Sequence, residues 1–410
     1  MSLSSSRIHG LDTLRAAAIA LVFCNHYMSF VSHDATFGWA SEIGWAGVDL
    51  FFALSGYLIG NQIFAGLRDG GFSLTRFYAR RLLRTLPNYY VVLALYAFWP
   101  LWAGTSNSAP WWKYWTFTLN FDLIPGTLFS HAWSLCVEEQ FYMVLPAVAL
   151  AVALLRRWER RALAVGWTLL AVSLVAAMAW RAHIWTPNMD VGPRGTGIFY
   201  TLIYYSTLCR FDELLFGVAL AMLKNFHPSA WQRATSRGNW TLAAGAVLTV
   251  TAFALFIRDH YGFGMTVFGY PLLGLAFSLL LVAGLSPGGL LARTRIPGAE
   301  SIALWSYAIY LTHKQLCIIL ANKLAWNWDI GPEEPLGMAL LIAASVAVGF
   351  LLYLVVETPF MKLRPARSAL AAHFDHAERR LHISQEGEEG AYADRQLKVA
   401  GGRNRGAQTG

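Results

Sequence analysis

Ten stretches of the chain are almost continuously apolar, and short polar stretches separate them. Each is long enough, with its flanks, to cross a bilayer as a helix. The pattern predicts an all-α fold, namely a polytopic transmembrane helical bundle of about ten spans. The predicted spans cover approximately residues 11–31, 44–66, 86–103, 132–155, 162–181, 199–223, 239–257, 265–287, 300–322 and 336–356.

The composition agrees with a membrane protein. The 410 residues are 56% hydrophobic and only 14% charged, whereas roughly a quarter of the residues in a soluble domain are charged. The net charge of +8 does not indicate a nucleic-acid partner, because the basic residues cluster in short loops between the apolar stretches. The four cysteines lie in apolar stretches without metal-ligand spacing or a disulfide pattern. We therefore expect the lipid bilayer as a partner, and no metal.

The charges of the loops predict the orientation. Arginine and lysine are more frequent after the second, fourth, sixth and eighth spans than in the opposite loops. The positive-inside rule then puts both termini in the cytoplasm and the protein in the inner (plasma) membrane. We expect a membrane domain over residues 1–364, followed by a polar cytoplasmic tail over residues 365–410. The tail composition predicts a helix near Ala366–Leu381 and disorder after it.

The first span contains two ionisable residues, Arg15 and His26. Their spacing puts them on one helix face, about 16 Å apart along the axis. Because an ionisable group inside a spanning helix is costly, such a pair is a functional-site hypothesis. The alternative is that Arg15 reaches the headgroups and that His26 forms a hydrogen bond within the bundle.

The second span carries Asp49 near its predicted outer end and Ser55–Gly56 near its middle. Small residues at such a position favour close helix packing. Asp49 could pair with a cation, bind a ligand or lie at the interface.

The loop after the second span is dense in arginine, in the run RFYARRLLRTLP. Arg76, Arg80, Arg84 and also Arg81 would share one face of a helix. Orientation and contact with anionic lipid explain such a run. The functional alternative is a phosphate site for a phosphorylated donor in the cytoplasm.

The fourth span begins SHAWSLCVEEQFYMVLP and contains Glu138 and Glu139. His131 and Ser134 share a face with Glu138. A structural ion pair would explain the glutamates. Alternatively, Glu138 and Glu139 lie at the same depth as His26. One of the two carboxylates would then orient the imidazole of His26 and form an acid–base pair with it.

Two later spans are also polar. The sixth carries Arg210, Asp212 and Glu213, and pairing of Arg210 with Glu213 within the helix would explain them. In the ninth, Ser306, Tyr310 and His313 form a stripe that faces either the bundle interior or a water-filled cavity.

These motifs occur in a fixed order: Arg15 with His26, GVDLFFALSGYLI, RFYARRLLRTLP, HAWSLCVEEQFYMVLP, RFDELLFG, SYAIYLTH and VETPF. In this order the chain resembles acyltransferase family 3, a family of integral membrane O-acyltransferases, over roughly residues 7–365. The resemblance implies transfer of an acyl group, expected to be acetyl, from cytoplasmic acyl-CoA to a hydroxyl of a carbohydrate or glycolipid acceptor. Lipopolysaccharide, exopolysaccharide and other glycans all remain open as the acceptor.

The resemblance also implies roles for individual residues. The expected catalytic residues are His26, Glu138, Glu139 and Arg15, and the expected acyl-CoA-binding residues are Arg80, Arg81 and Arg84. The resemblance implies substrate binding by Tyr310 and His313, and we further expect Asp49, Arg210 and Asp212, as polar residues inside the spans, to bind substrate. Some members carry a fused esterase-like domain, whereas only the polar tail follows here, which leaves open a separate periplasmic transferase as partner.

Two other classes of protein fit part of the pattern. Buried charges in several spans also occur in proton-coupled transporters and flippases. Against that class, the sequence shows no pair of Gly/Pro-broken spans in corresponding halves. A structural scaffold would not need so many intramembrane charges.

Overall fold

The computed structural model describes residues 8–104, 107, 109–154, 159–188 and 195–364. Within these ranges the chain is helical and has no β-strand. Ten helices have 15 residues or more, and each overlaps one of the ten predicted spans. They are α1 (His9–Tyr27), α2 (Ala46–Arg68), α3 (Leu74–Phe98), α4 (Trp133–Ala153), α5 (Glu159–Asn188), α6 (Asp212–Phe226), α7 (Gly238–Arg258), α8 (Tyr270–Gly284), α9 (Ala299–Trp328) and α10 (Pro335–Leu352).

Shorter helical pieces connect these helices or extend them. Wider π-helical turns occupy Met28–Ser32, Tyr200–Tyr204, Met265–Gly269 and Tyr353–Glu357. The remaining pieces are Trp39–Ile43, Pro100–Ala103, Trp111–Trp115, Ser130–Ala132, Gly195–Phe199, Thr207–Arg210, Pro228–Thr235, Leu290–Arg293 and Thr358–Lys362. The predicted tail, including its helix at 366–381, lies outside the described residues.

Seven helical segments of the described chain are long and apolar enough to cross a membrane. They are His9–Ser32, Ala46–Arg68, Ser130–Ala153, Arg161–Asn188, Gly238–Arg258, Met265–Gly284 and Pro335–Lys362. The predicted third and ninth spans are helices as well, but α3 begins with the arginine run and α9 contains several charged residues. The chain is a multi-pass helical membrane protein, while ten crossings and cytoplasmic termini stay predictions.

The sixth predicted span is not one continuous helix. It is interrupted at Ser206 and again at Phe211, before α6 begins. Two arginine side chains satisfy carbonyl groups around these breaks: Arg181 donates to the carbonyl of Cys209 at 2.5 Å, and Arg210 donates to that of Tyr204 at 3.4 Å. Free backbone carbonyls are costly in an apolar bundle, so these contacts stabilise the interruption.

The centre of the bundle is the pair formed by α2 and α6, which pack more extensively than any other two helices of the described chain. Glycines allow this approach. A Cβ atom on Gly56 would meet the backbone of Leu214, and one on Gly217 would meet the backbone of Ala53 and Tyr57. The packing role predicted for Gly56 is therefore present, and it fixes the position of the adjacent Ser55.

Five ionisable side chains with no solvent exposure form a buried ionic cluster, namely Asp49, Arg181, Arg210, Asp212 and Glu213. Arg210 pairs with Asp49, and Arg181 pairs with Asp212 at 2.7 Å. The predicted pairing of Arg210 with Glu213 within one helix is wrong, because the break at Phe211 turns Arg210 toward α2.

The charges of the buried ionic cluster balance only with one added proton. Three carboxyl groups and two guanidinium groups are buried together, and Glu213 lies beside Asp49. Two carboxyl groups in contact share a proton, since two anions side by side repel and a buried net charge is costly. Among the described residues Glu213 is the one carboxyl group of the three without an ion pair, so we expect Glu213 to carry the proton.

Replacing Gly56 by alanine should weaken the packing of α2 on α6. The added methyl group would push against the backbone of Leu214, and such overpacking costs about 1–3 kcal/mol. The thermal unfolding midpoint of purified protein in detergent measures this loss. Gly264→Ala is the control, because a Cβ atom there meets nothing within 4 Å. Equal midpoints for the two variants would refute the packing role of Gly56.

Two substitutions that replace a carboxyl group of the buried ionic cluster by an amide should have very different effects on the unfolding midpoint. Glu213→Gln keeps the cluster neutral, because the amide can donate to Asp49 in place of the shared proton, and its unfolding midpoint should stay near that of the wild type. Asp49→Asn leaves Arg210 without its anion, which should cost about 3–5 kcal/mol. Size-exclusion profiles and unfolding midpoints compare the two. A Glu213→Gln protein as unstable as Asp49→Asn would mean that Glu213 is charged.

Candidate active site

A cavity of about 370 Å³ lies between α1, α2, α3, α4 and α9. Its apolar lining comes from Val48, Phe51, Phe52, Leu54, Leu58, Ile59 and Leu135. Its polar lining comes from Arg15, Ser55, Gln62, Arg81, Arg84, Thr85, Ser134, Glu138, Glu139, Tyr142, Ser306, Tyr307 and Tyr310. The cavity thus contains residues from five of the motifs that lie far apart in the sequence.

Arg81 is fixed in the wall of the cavity by the two glutamates of α4. Its guanidinium lies 3.1 Å from the carboxylate of Glu139 and 3.7 Å from that of Glu138. It also stacks 3.9 Å above the ring of Tyr142, and Ser55 donates to Glu138 at 2.9 Å. Glu138 and Glu139 are therefore partners of an arginine, as the ion-pair interpretation of the sequence expected.

Two other arginines in the cavity wall have no such partner. Arg15 on α1 and Arg84 on α3 are partly exposed, and neither forms an ion pair within the described ranges. Arg80, which the sequence groups with Arg81 and Arg84, does not line the cavity. Arg15 and Arg84 are thus the cavity arginines that are available to bind an anion. Two partly exposed guanidinium groups of this kind suit phosphate oxygens.

Three histidines from three parts of the chain meet one helical turn beyond Tyr310. The Nδ1 atom of His26 lies 2.8 Å from Nε2 of His313, and the two rings stack with their centroids 5.0 Å apart. The ring of His131 lies 6.0 Å from that of His26 and 6.2 Å from that of His313. Lys314 lies beside them, donates to Ser130 at 3.0 Å and covers the ring of Phe30.

Tyr310 and Ser134 lie between the cavity and these histidines. The Tyr310 hydroxyl donates to the carbonyl of His131 at 2.6 Å, which leaves its oxygen to accept from Ser134, also at 2.6 Å. Both residues line the cavity, and the ring of Tyr310 is 6.4 Å from that of His26. The hydroxyl of Ser134 donates to an oxygen and has no histidine nitrogen as its partner, so the structure does not present it as an activated nucleophile.

The expectation that a glutamate orients the imidazole of His26 is wrong. The ring nitrogen that would face a carboxylate faces His313 instead, while both glutamates lie against Arg81. The glutamates and His26 are not neighbours, because α4 turns Glu138 and Glu139 toward Arg81 of α3.

The predicted substrate-binding residues divide into two groups. Tyr310 lines the cavity and His313 is buried beside His26. Asp49, Arg210 and Asp212 belong to the buried ionic cluster and do not line the cavity. Their burial and mutual pairing favour a structural role over direct contact with substrate.

The sequence interpretation overlooked Lys314, Tyr142 and Tyr307. Lys314 is an ionisable residue within an otherwise apolar stretch and is only 5% exposed, so the desolvation argument applied to His26 would have found it. The two tyrosines carry no such signal, since tyrosine is frequent throughout membrane helices.

One further histidine, His260, lies in the turn between α7 and the helical segment beginning at Met265. Burial lowers the pKa of His260 to about 4, with the nearby charge of Arg210 acting in the same direction. Its ring packs against Trp45 at 4.8 Å, away from the cavity. His260 is thus a neutral packing residue at physiological pH.

Comparison with known proteins identifies relatives of the whole membrane region. Peptidoglycan O-acetyltransferase OatA of Listeria monocytogenes is 25% identical over 379 residues, which cover 88% of this chain and 56% of OatA. The protein named Putative peptidoglycan O-acetyltransferase YrhL of Bacillus subtilis is 27% identical over 356 residues, covering 78% of this chain and 51% of YrhL. The chain therefore spans about half the length of the curated relatives it matches. No solved structure matches it.

The family with the description "Acyltransferase domain" matches residues 8–354, which include the cavity and the histidines. This match confirms the resemblance seen in the ordered motifs. The chain belongs to this acyltransferase family.

Proposed function

We propose that the chain is a membrane O-acetyltransferase that moves an acetyl group from cytoplasmic acetyl-CoA to a hydroxyl of a cell-envelope glycan. The observation that carries the proposal is the cavity that contains two arginines without an ion pair and reaches Tyr310, whose ring lies 6.4 Å from that of His26. The acetyl group and the glycan class are supported by the names of the two relatives, both of which are named as peptidoglycan O-acetyltransferases.

In this proposal the donor occupies the cavity. The phosphates of CoA bind Arg15 and Arg84, neither of which forms an ion pair within the described ranges. The pantetheine arm then runs along the Arg15–His26 face of α1, a distance of about 16 Å that an extended arm can cover. The loop charges of the sequence support entry of the donor from the cytoplasm.

The reaction occurs where the thioester reaches Ser134 and Tyr310. His26 takes the proton of the acceptor hydroxyl at Nε2, and the hydroxyl oxygen bonds to the thioester carbonyl carbon. The carbon–sulfur bond breaks, and the departing CoA thiolate recovers the proton from His26. General-base catalysis of this kind contributes typically 10²–10⁴-fold to the rate. Glu138 and Glu139 hold Arg81 in place and take no part in proton transfer.

Replacing His26 by alanine should abolish acetylation while the protein still inserts. Mass spectrometry of intact surface glycans would compare a deletion strain with strains restored by the wild type, by His26→Ala or by His183→Ala. His183 is an exposed histidine on α5, far from the cavity lining, and serves as the matched control. We expect a mass gain of one acetyl ester with the wild type and the control only.

Two results would contradict this assignment. Normal acetylation by a well-expressed His26→Ala protein would remove His26 as the base. Recovery of labelled substrate moved across the membrane without esterification would favour the transporter class instead.

Replacing Arg84 by glutamine should weaken donor binding. Loss of one charge-assisted phosphate contact is worth about 1.5–3 kcal/mol, so the KM for acetyl-CoA should rise about 10- to 100-fold with a smaller change in kcat. Purified protein in proteoliposomes with radiolabelled acetyl-CoA provides this measurement. The control is Arg237→Gln, an exposed arginine outside the cavity lining. An unchanged KM for Arg84→Gln would place the CoA phosphates elsewhere.

A further inference from the structure

His26 and His313 form a hydrogen-bonded chain that ends on the backbone of α9. Nδ1 of His26 lies 2.8 Å from Nε2 of His313, and Nδ1 of His313 lies 2.9 Å from the carbonyl oxygen of Ile309. His313 is 1% exposed, whereas His26 is partly exposed. The chain therefore runs from a reachable imidazole to a fixed helix carbonyl.

The direction of each hydrogen bond follows from the groups involved. A carbonyl oxygen can only accept, so Nδ1 of His313 carries a hydrogen. In a neutral imidazole the other nitrogen then has the lone pair, so Nε2 of His313 accepts from Nδ1–H of His26. The lone pair of His26 is consequently at Nε2, the nitrogen that is free to take a proton.

The surroundings favour a neutral His313. The ionisable groups of the described chain that face the two rings are His131 before α4 and, on α9, Tyr310 and the buried Lys314. No carboxylate contacts the pair within the described ranges. A second cation next to Lys314, without an anion, would be costly in this apolar site.

We infer that His313 is a positioning residue that holds His26 in the tautomer whose Nε2 is free to act as the base. The inference rests on the proposed function, and it assigns His313 a role other than the substrate contact implied by family resemblance. The neutral ring of His313, hydrogen-bonded to the carbonyl of Ile309, thus orients the imidazole of His26, a role that the sequence analysis assigned to a carboxylate.

The test compares His313→Phe with His313→Gln. Phenylalanine keeps a ring in the pocket but cannot accept a hydrogen bond, whereas the amide oxygen of glutamine can reach the position of Nε2. We expect kcat to fall about 10²-fold for His313→Phe with the KM values for acetyl-CoA and acceptor little changed, and to recover to within about tenfold of the wild type for His313→Gln. Thr312→Val, a buried neighbour that bonds only within its own helix, is the control.

A second readout reports the tautomer directly. Solid-state NMR of ¹⁵N-histidine-labelled protein in lipid distinguishes a hydrogen at Nδ1 from one at Nε2, and the signal lost in His26→Ala identifies His26. We expect His26 with hydrogen at Nδ1 in the wild type and a mixture of tautomers in His313→Phe. Hydrogen at Nε2 of His26 in the wild type would overturn the inference.

The two readouts separate this inference from the proposed function. Wild-type acetylation by His26→Ala would refute the base, while the NMR result would still decide the tautomer. A wild-type kcat in His313→Phe, or a rise in acceptor KM alone, would refute the positioning role even if His26 is the base. If kcat falls equally in His313→Phe and His313→Gln, and the unfolding midpoints of both variants fall in parallel, His313 has only a structural role.

Discussion

The cost of removing charge from water decides how this bundle is arranged. An apolar helix bundle cannot leave an ion without a partner, so almost every buried charge is matched: Arg210 by Asp49, Arg181 by Asp212 and Arg81 by two glutamates. Two arginines of the cavity wall, Arg15 and Arg84, form no ion pair within the described ranges, and they line a cavity large enough for part of a ligand. The same physical rule therefore separates the structural charges from those available to bind an anion.

The parts of this arrangement that depend on local pattern could be predicted from the sequence. The ten long helices follow from apolar length, and the common face of Arg15 and His26 follows from helical periodicity alone. The family followed from the order of the motifs.

The partners of these residues could not be predicted in the same way. His26 and His313 are 287 positions apart, and no periodicity says which faces of α1 and α9 meet. A predicted depth limits the possible neighbours of His26 to one layer of the bundle. The rotation of each helix about its own axis then determines whether Glu138 or His313 is that neighbour. The interruption that directs Arg210 toward α2 is likewise a tertiary effect, because its free carbonyls are satisfied by arginines from elsewhere in the fold.

The hydrogen-bonded pair of Ser134 and Tyr310 sets a chemical requirement on any ligand that passes it. Together with the carbonyl of His131, the pair forms two hydrogen bonds of 2.6 Å in the lining of the cavity. Breaking such a bond in an apolar site without a replacement leaves a buried polar group unpaired, at a cost of about 1–3 kcal/mol. A ligand that reaches from the cavity toward His26 must therefore bring hydrogen-bonding groups of its own, and a purely apolar chain is disfavoured there.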